Sequence, residues 1–130
     1  MNADKQTLLP NWVLWPSRFL LFATVIFISQ QMLTDNPVDL SPVSVWDKFL
    51  HFSAWGLVVI LGYCSYRSQR HFIMAAIAVF IYSTFIEILQ PLVAQRFFSL
   101  GDIVANGLGC FIAALLAPRI DKWLATYINK

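Results

Sequence analysis

The sequence predicts an all-α integral membrane protein, a four-transmembrane-helix bundle with both termini cytoplasmic. Three observations carry that expectation. Of the 130 residues, 58% are hydrophobic and only 12% charged, whereas ordinary soluble domains are roughly 45–50% apolar and about 25% charged. The apolar residues fall into four runs, each close to the roughly 20 residues a bilayer core requires. Basic residues collect at alternate connections, as they do in cytoplasmic loops. A soluble domain this small could not hide so much apolar surface. The net charge of +2 is too small to argue for nucleic acid.

The first span covers about residues 16–33. Lys5 and Arg18 flank it, and Trp12 and Trp15 precede its centre, at the interfacial depth that indoles prefer. It ends in "SQQMLTDNP", without the small-x-small pattern of a cleaved signal peptide, so it reads as a retained helix. The second span, about 47–66, opens with "DKFLHF". The third, about 72–92, closes on "EILQ". The fourth, about 102–118, carries Gly107, Gly109, Ala113 and Ala117, small residues that suit a close helix-packing face. Repeats and low-complexity tracts are absent from the sequence, and residues 1–130 read as one domain.

Orientation follows from the basic residues. Lys5, Arg18, Arg67, Arg70, Arg119, Lys122 and Lys130 fall on one side, seven of the nine, against Lys48 and Arg96 on the other. The first side is therefore cytoplasmic. Asp35, Asp39, Asp47, Glu87 and Asp102 belong to the external side.

The polar residues inside the spans share that external end. Asp47 and His51 are four apart and Lys48 and His51 three apart, so the three occupy roughly one helix face. Glu87 and Gln90 are three apart near the outer end of the third span, and Asp102 and Asn106 four apart at the outer start of the fourth. Arg96 and Ser99 lie between those spans. At about 1.5 Å per residue, His51 and Asn106 each lie roughly 6 Å below the aspartate that opens their span, and Glu87 about 22 Å from Phe72. Three helices thus present polar groups at one depth, where such groups usually face the bundle interior or a wet cavity. Singly, each can be a cap or an interfacial pair, Asp102 or Ser99 capping the fourth span. Together they converge more than capping requires. Cys64 and Cys110 sit at different depths and suggest no disulfide. His71 flanks a basic loop and reads as solvated. Residue spacing shows no metal-ligand motif, phosphate loop or nucleophile elbow, so neither metal nor cofactor is expected.

These pieces, "DKFLHF", "EILQ", Arg96, "SLGD" and "ANGLG", stand in an order and spacing that resembles the VanZ-like family of small integral membrane proteins. The likeness spans about residues 47–117. Its pattern falls on Asp47, Lys48, His51, Glu87, Gln90, Arg96, Asp102, Asn106 and Gly109. Trp55 stands where the family often has Tyr, Ala113 where a second Gly is common, and Gln95 where a Gly often precedes the Arg. The resemblance implies an association with low-level resistance to the lipoglycopeptide teicoplanin.

The residues point to an outward-facing polar pocket in a multi-pass protein of the cell (inner, cytoplasmic) membrane. It would bind or process an anionic lipid headgroup or a lipid-linked cell-envelope precursor. Arg96 and Lys48 would hold phosphate, as planar fork and point charge. His51 would act as acid or base tuned by Asp47, with Glu87 a second titrating group. Gln90 and Asn106, with Asp102, would orient the ligand. A non-catalytic binder that shields a lipid-anchored target is the alternative. A small proton-coupled exporter is weaker, because Glu87 lies off the midplane where coupling acids usually sit.

Overall fold

The computed structural model describes residues 8–34, 44–94 and 96–128. Lys5, Asp35, Asp39, Gln95 and Lys130 lie outside them. Four helices follow one another: α1 (Asn11–Met32), α2 (Ser44–Ser65), α3 (Gln69–Val93) and α4 (Leu100–Ile128). All four are long and apolar enough to cross a membrane. No strand occurs among the described residues.

The helix ends follow local chemistry. Pro10 precedes α1 in an extended conformation, its ring fixing φ without needing an N–H donor. Between α2 and α3 only Tyr66, Arg67 and Ser68 intervene, and the Ser68 carbonyl accepts the Phe72 N–H at 3.0 Å. Pro91 falls in the last turn of α3, so the i→i−4 bond it removes is one of the last in the ladder and the helix ends at Val93. Pro118 does not end α4, which runs ten residues past the boundary expected from sequence. A single proline removes one ladder bond. The helix continues because Ala117, Asp121 and Ala125 stay buried on one face. At about 1.5 Å per residue α4 measures roughly 43 Å, longer than a hydrocarbon core of about 30 Å. Its final turns, with Arg119, Lys122 and Trp123, are the surplus.

The bundle is apolar outside and partly polar inside. Phe19, Phe22, Ile77, Ile81, Phe111 and Leu115 are exposed, whereas His51, Glu87, Gln90, Asn106 and Asp121 are buried. That inversion suits a chain whose surroundings are lipid, since water would reward the opposite arrangement.

Helix α2 is central. It packs most extensively on α4 and next on α1, while α1 and α3 scarcely touch. Gly109 explains the α2–α4 intimacy: a Cβ there would lie 2.2 Å from the Phe52 carbonyl oxygen. Only a residue without a side chain lets the backbones approach so closely. Ala113 and Ala117 continue that face, while Gly107 turns toward Phe80 of α3. Where α1 and α3 part, an apolar groove of about 250 Å³ is lined by Leu21, Val25, Trp55, Val59, Phe72 and Tyr82. Edge-to-face contacts of Trp55 with Tyr82 and of Tyr63 with Phe72 close the core between α2 and α3.

Candidate functional site

The residues singled out from sequence meet at one end of the bundle. His51, one turn into α2 from Asp47, lies at their centre and is only 2% exposed. Its Nδ1–H donates to Asn106 Oδ1 of α4 at 3.1 Å, and Glu87 Oε2 of α3 lies 3.9 Å from the same nitrogen. The other ring nitrogen, Nε2, faces two carboxylates, Asp47 Oδ1 and Asp102 Oδ2, each at 3.9 Å. Three helices therefore converge on one imidazole.

Two cations close the rim. Lys48 Nζ stands 3.7 Å from Asp102 Oδ1, and Arg96 Nη2 donates to Asp47 Oδ1 at 3.3 Å. Asp47, Lys48 and Arg96 have side chains 39%, 43% and 24% exposed, so solvent reaches the cluster through them. Glu87 and Asn106 beneath are 1% and 0% exposed. The open pocket expected around His51, Glu87 and Asn106 thus has to be narrowed: those three are sealed, and access is at the rim. The close α2–α4 packing at Gly109, about one turn below Asn106, contributes to that burial.

Local structure fixes the lower wall. Ser99 caps α4: its Oγ accepts the Asp102 N–H at 3.2 Å, the capping geometry that satisfies a free donor in a helix's first turn. Asp102 is therefore not the cap. Its carboxylate is left for the cluster, and Oδ1 makes no hydrogen bond. The Ser99 backbone N–H also donates to Glu87 Oε1 at 3.3 Å, tying the α3–α4 connection to α3. Glu87 Oε2 and Asn106 Nδ2 are likewise buried without hydrogen-bond partners, which is uncommon and usually has a reason.

Gln90 is placed otherwise. Its amide Nε2 donates to the Met32 carbonyl at 3.1 Å, capping the end of α1. That position makes it a structural tie between α1 and α3. Cys64 and Cys110 are both free.

One buried charged residue has no counterpart among the sequence expectations. Asp121, at the opposite end, accepts the Leu8 N–H at 2.8 Å through Oδ2. A signal existed: Asp121 continues the four-residue stripe of Gly109, Ala113 and Ala117. Spacing also conceals a set of metal-ligand types. Asp47, His51 and Asp102 bring their donor atoms within 4.8 Å of one another, but Asp102 comes from another helix more than fifty residues away, which no local motif can show.

Comparison with curated proteins and with solved structures finds no match. A family model described as VanZ/LLP1 matches residues 3–121, most of the chain and all four helices nearly to the end of α4. With the polar cluster formed by the pieces that suggested the likeness, the chain belongs to the VanZ/LLP1 family.

Proposed function

We propose that the rim formed by Arg96 and Lys48 binds an anionic lipid headgroup or the phosphate of a lipid-linked envelope precursor. The observation behind it is two partly exposed cations at the end of a membrane bundle, each held by a carboxylate that a phosphate could replace. Guanidinium and ammonium are the usual phosphate partners, and their hydrogen bonds to phosphate oxygens are charge-assisted. The groove lined by Trp55 and Tyr82 offers apolar surface for an acyl chain, beginning one turn along α2 from His51. Processing of the bound headgroup is the second reading, favoured by His51 Nε2 facing two carboxylates. A link to glycopeptide resistance would follow from sequestering or altering such a precursor.

The experiment titrates the full-length protein in neutral detergent with a short-chain lipid phosphate and with its choline counterpart, followed by tryptophan fluorescence. The lipid phosphate should bind at least about tenfold tighter, equivalent to about 1.4 kcal/mol, and Arg96→Gln should erase that preference. Equal affinity for both lipids would overturn the proposal. For processing, His51→Gln should retain binding and lose turnover.

The same reading places this rim outside the cell and both termini within. In intact cells an impermeant thiol reagent should modify Phe98→Cys and spare Gln69→Cys. The reverse labelling would put the rim on the cytoplasmic face.

A further inference from the structure

We propose that Asp47, His51 and Asp102 form a binding site for one divalent transition-metal ion, with Zn2+ the best match to the ligand set. The starting point is the tautomer. Asn106 Oδ1 can only accept, so His51 Nδ1 carries the proton in the 3.1 Å hydrogen bond between them. In the neutral ring Nε2 then presents a lone pair, and it presents that lone pair to two carboxylate oxygens. Three electron-rich atoms facing one another repel; Arg96 and Lys48 offset part of that charge from the rim, 3.3 Å from Asp47 Oδ1 and 3.7 Å from Asp102 Oδ1, and a cation among the three would offset the rest.

The spacing suits a metal ion. A charge-assisted N–H···O⁻ bond would draw a carboxylate to about 2.7–2.9 Å. Both oxygens instead stand at 3.9 Å from Nε2. Zinc bonds of about 2.0–2.2 Å put tetrahedral neighbours roughly 3.3–3.6 Å apart. The observed set is wider, its donor atoms lying within 4.8 Å of one another, so binding would draw in Asp47, its most exposed member. One imidazole and two carboxylates suit zinc, and three protein ligands leave a fourth position for water or a ligand oxygen.

The surroundings are those of a metal-ligating histidine. Such a ring usually donates its other N–H to an oxygen that fixes its orientation, as Asn106 does here, with Glu87 behind. Asp102 reaches His51 through Oδ2 while its buried Oδ1 lacks a hydrogen bond and lies toward Lys48. Arg96 steadies Asp47. The site stands whether or not the rim binds lipid, and its test involves no lipid.

Chelator-treated full-length protein in detergent is titrated with Co2+ as a spectroscopic probe, then with Zn2+ as competitor. One equivalent of Co2+ should bind with the visible absorption of a distorted tetrahedral ion, and Zn2+ should displace it. Asp47→Asn and His51→Gln should each weaken uptake by about tenfold or more, because loss of a supporting residue alone typically costs 10–100-fold. His71→Gln, an exposed histidine outside the cluster, should leave uptake unchanged. Metal-free melting temperatures identify any variant that misfolds, and if His51→Gln does, the partly exposed Asp47→Asn decides. Absence of Co2+ uptake by the wild type, or equal uptake by wild type and Asp47→Asn, would overturn the assignment.

Discussion

The two ends of the bundle use polar groups in opposite ways. At one end, ionisable side chains of α2, α3 and α4 face one another at 3.7–3.9 Å around His51. At the other, charged side chains meet backbone. Arg18 donates to the Ser65 carbonyl, Arg67 to the Leu9 carbonyl and to the Asn11 side chain, and Asp121 accepts the Leu8 N–H. Arg18 also lies over the Trp15 ring, 5.1 Å from its centre. The second arrangement binds Leu8, Leu9 and the first turns of α1 to the ends of α2 and α4. Of the four buried side-chain polar atoms without hydrogen-bond partners among the described residues, three belong to the His51 end and none to the Asp121 end. A scaffold satisfies its polar groups, and the incompletely satisfied cluster at the His51 end is the feature on which the proposed binding site rests.

The largest effect should come from forcing apart the helices beneath the cluster. Gly109→Val places side-chain atoms where the Phe52 backbone already lies, and backbone cannot step aside as a flexible side chain can. Overpacking costs about 1–3 kcal/mol even where side chains can adjust, so the loss here should be at least that large. Gly62, toward the other end of α2, is different, because a methyl group there would meet nothing within 4 Å. Gly62→Ala should leave the melting temperature in detergent essentially unchanged. Equal destabilisation by the two would refute the account of α2–α4 packing.

How much of this is legible in the sequence depends on whether the cause is local. The four helices can be read because bilayer thickness and hydrophobicity set them segment by segment. Convergence of His51, Glu87 and Asn106 can be anticipated from depth, because helices crossing one membrane share a common axis of measurement. Rotation about that axis is another matter. Depth alone gives Gln90 the same standing as Glu87, yet Gln90 turns to Met32 at the end of α1. Burial is also hidden, since the Gly109–Phe52 approach that contributes to it is a contact between residues far apart in sequence. Asp121 lies beyond Pro118, where a span is expected to stop.

An intermediate effect should follow from breaking the Asp121 end. Asp121→Ala leaves the Leu8 N–H without its acceptor, and hydrogen bonds to charged groups contribute about 1.5–3 kcal/mol. The melting temperature should fall while lipid-phosphate affinity, measured on folded protein, holds. Glu87→Gln at the opposite end should show the reverse. The substitution keeps the shape and an oxygen for the Ser99 N–H and removes a buried charge, so the melting temperature should stay near wild type, while the lipid-phosphate response changes. If Asp121→Ala abolished binding without loss of stability, the division between scaffold and site would collapse.

The smallest effect on stability should come from Arg96→Gln, which makes it the sharpest probe of the comparison. The Arg96–Asp47 pair is 3.3 Å long with side chains 24% and 39% exposed. Exposed pairs of this kind contribute about 0–1 kcal/mol, because solvent screens both charges whether or not they touch. Removing the guanidinium also leaves Asp47 open to water, so no buried orphan is created. The melting temperature should therefore stay within a few degrees of wild type, since about 1 kcal/mol corresponds to a shift of roughly 4–8 °C in a domain of 60–100 residues and less in a larger one. The preference for lipid phosphate over its choline counterpart should nevertheless disappear, because the guanidinium fork proposed to hold the phosphate has gone. A variant that melted far below wild type and kept its preference would show that Arg96 holds the α3–α4 connection in place, and the rim would then belong with the scaffold.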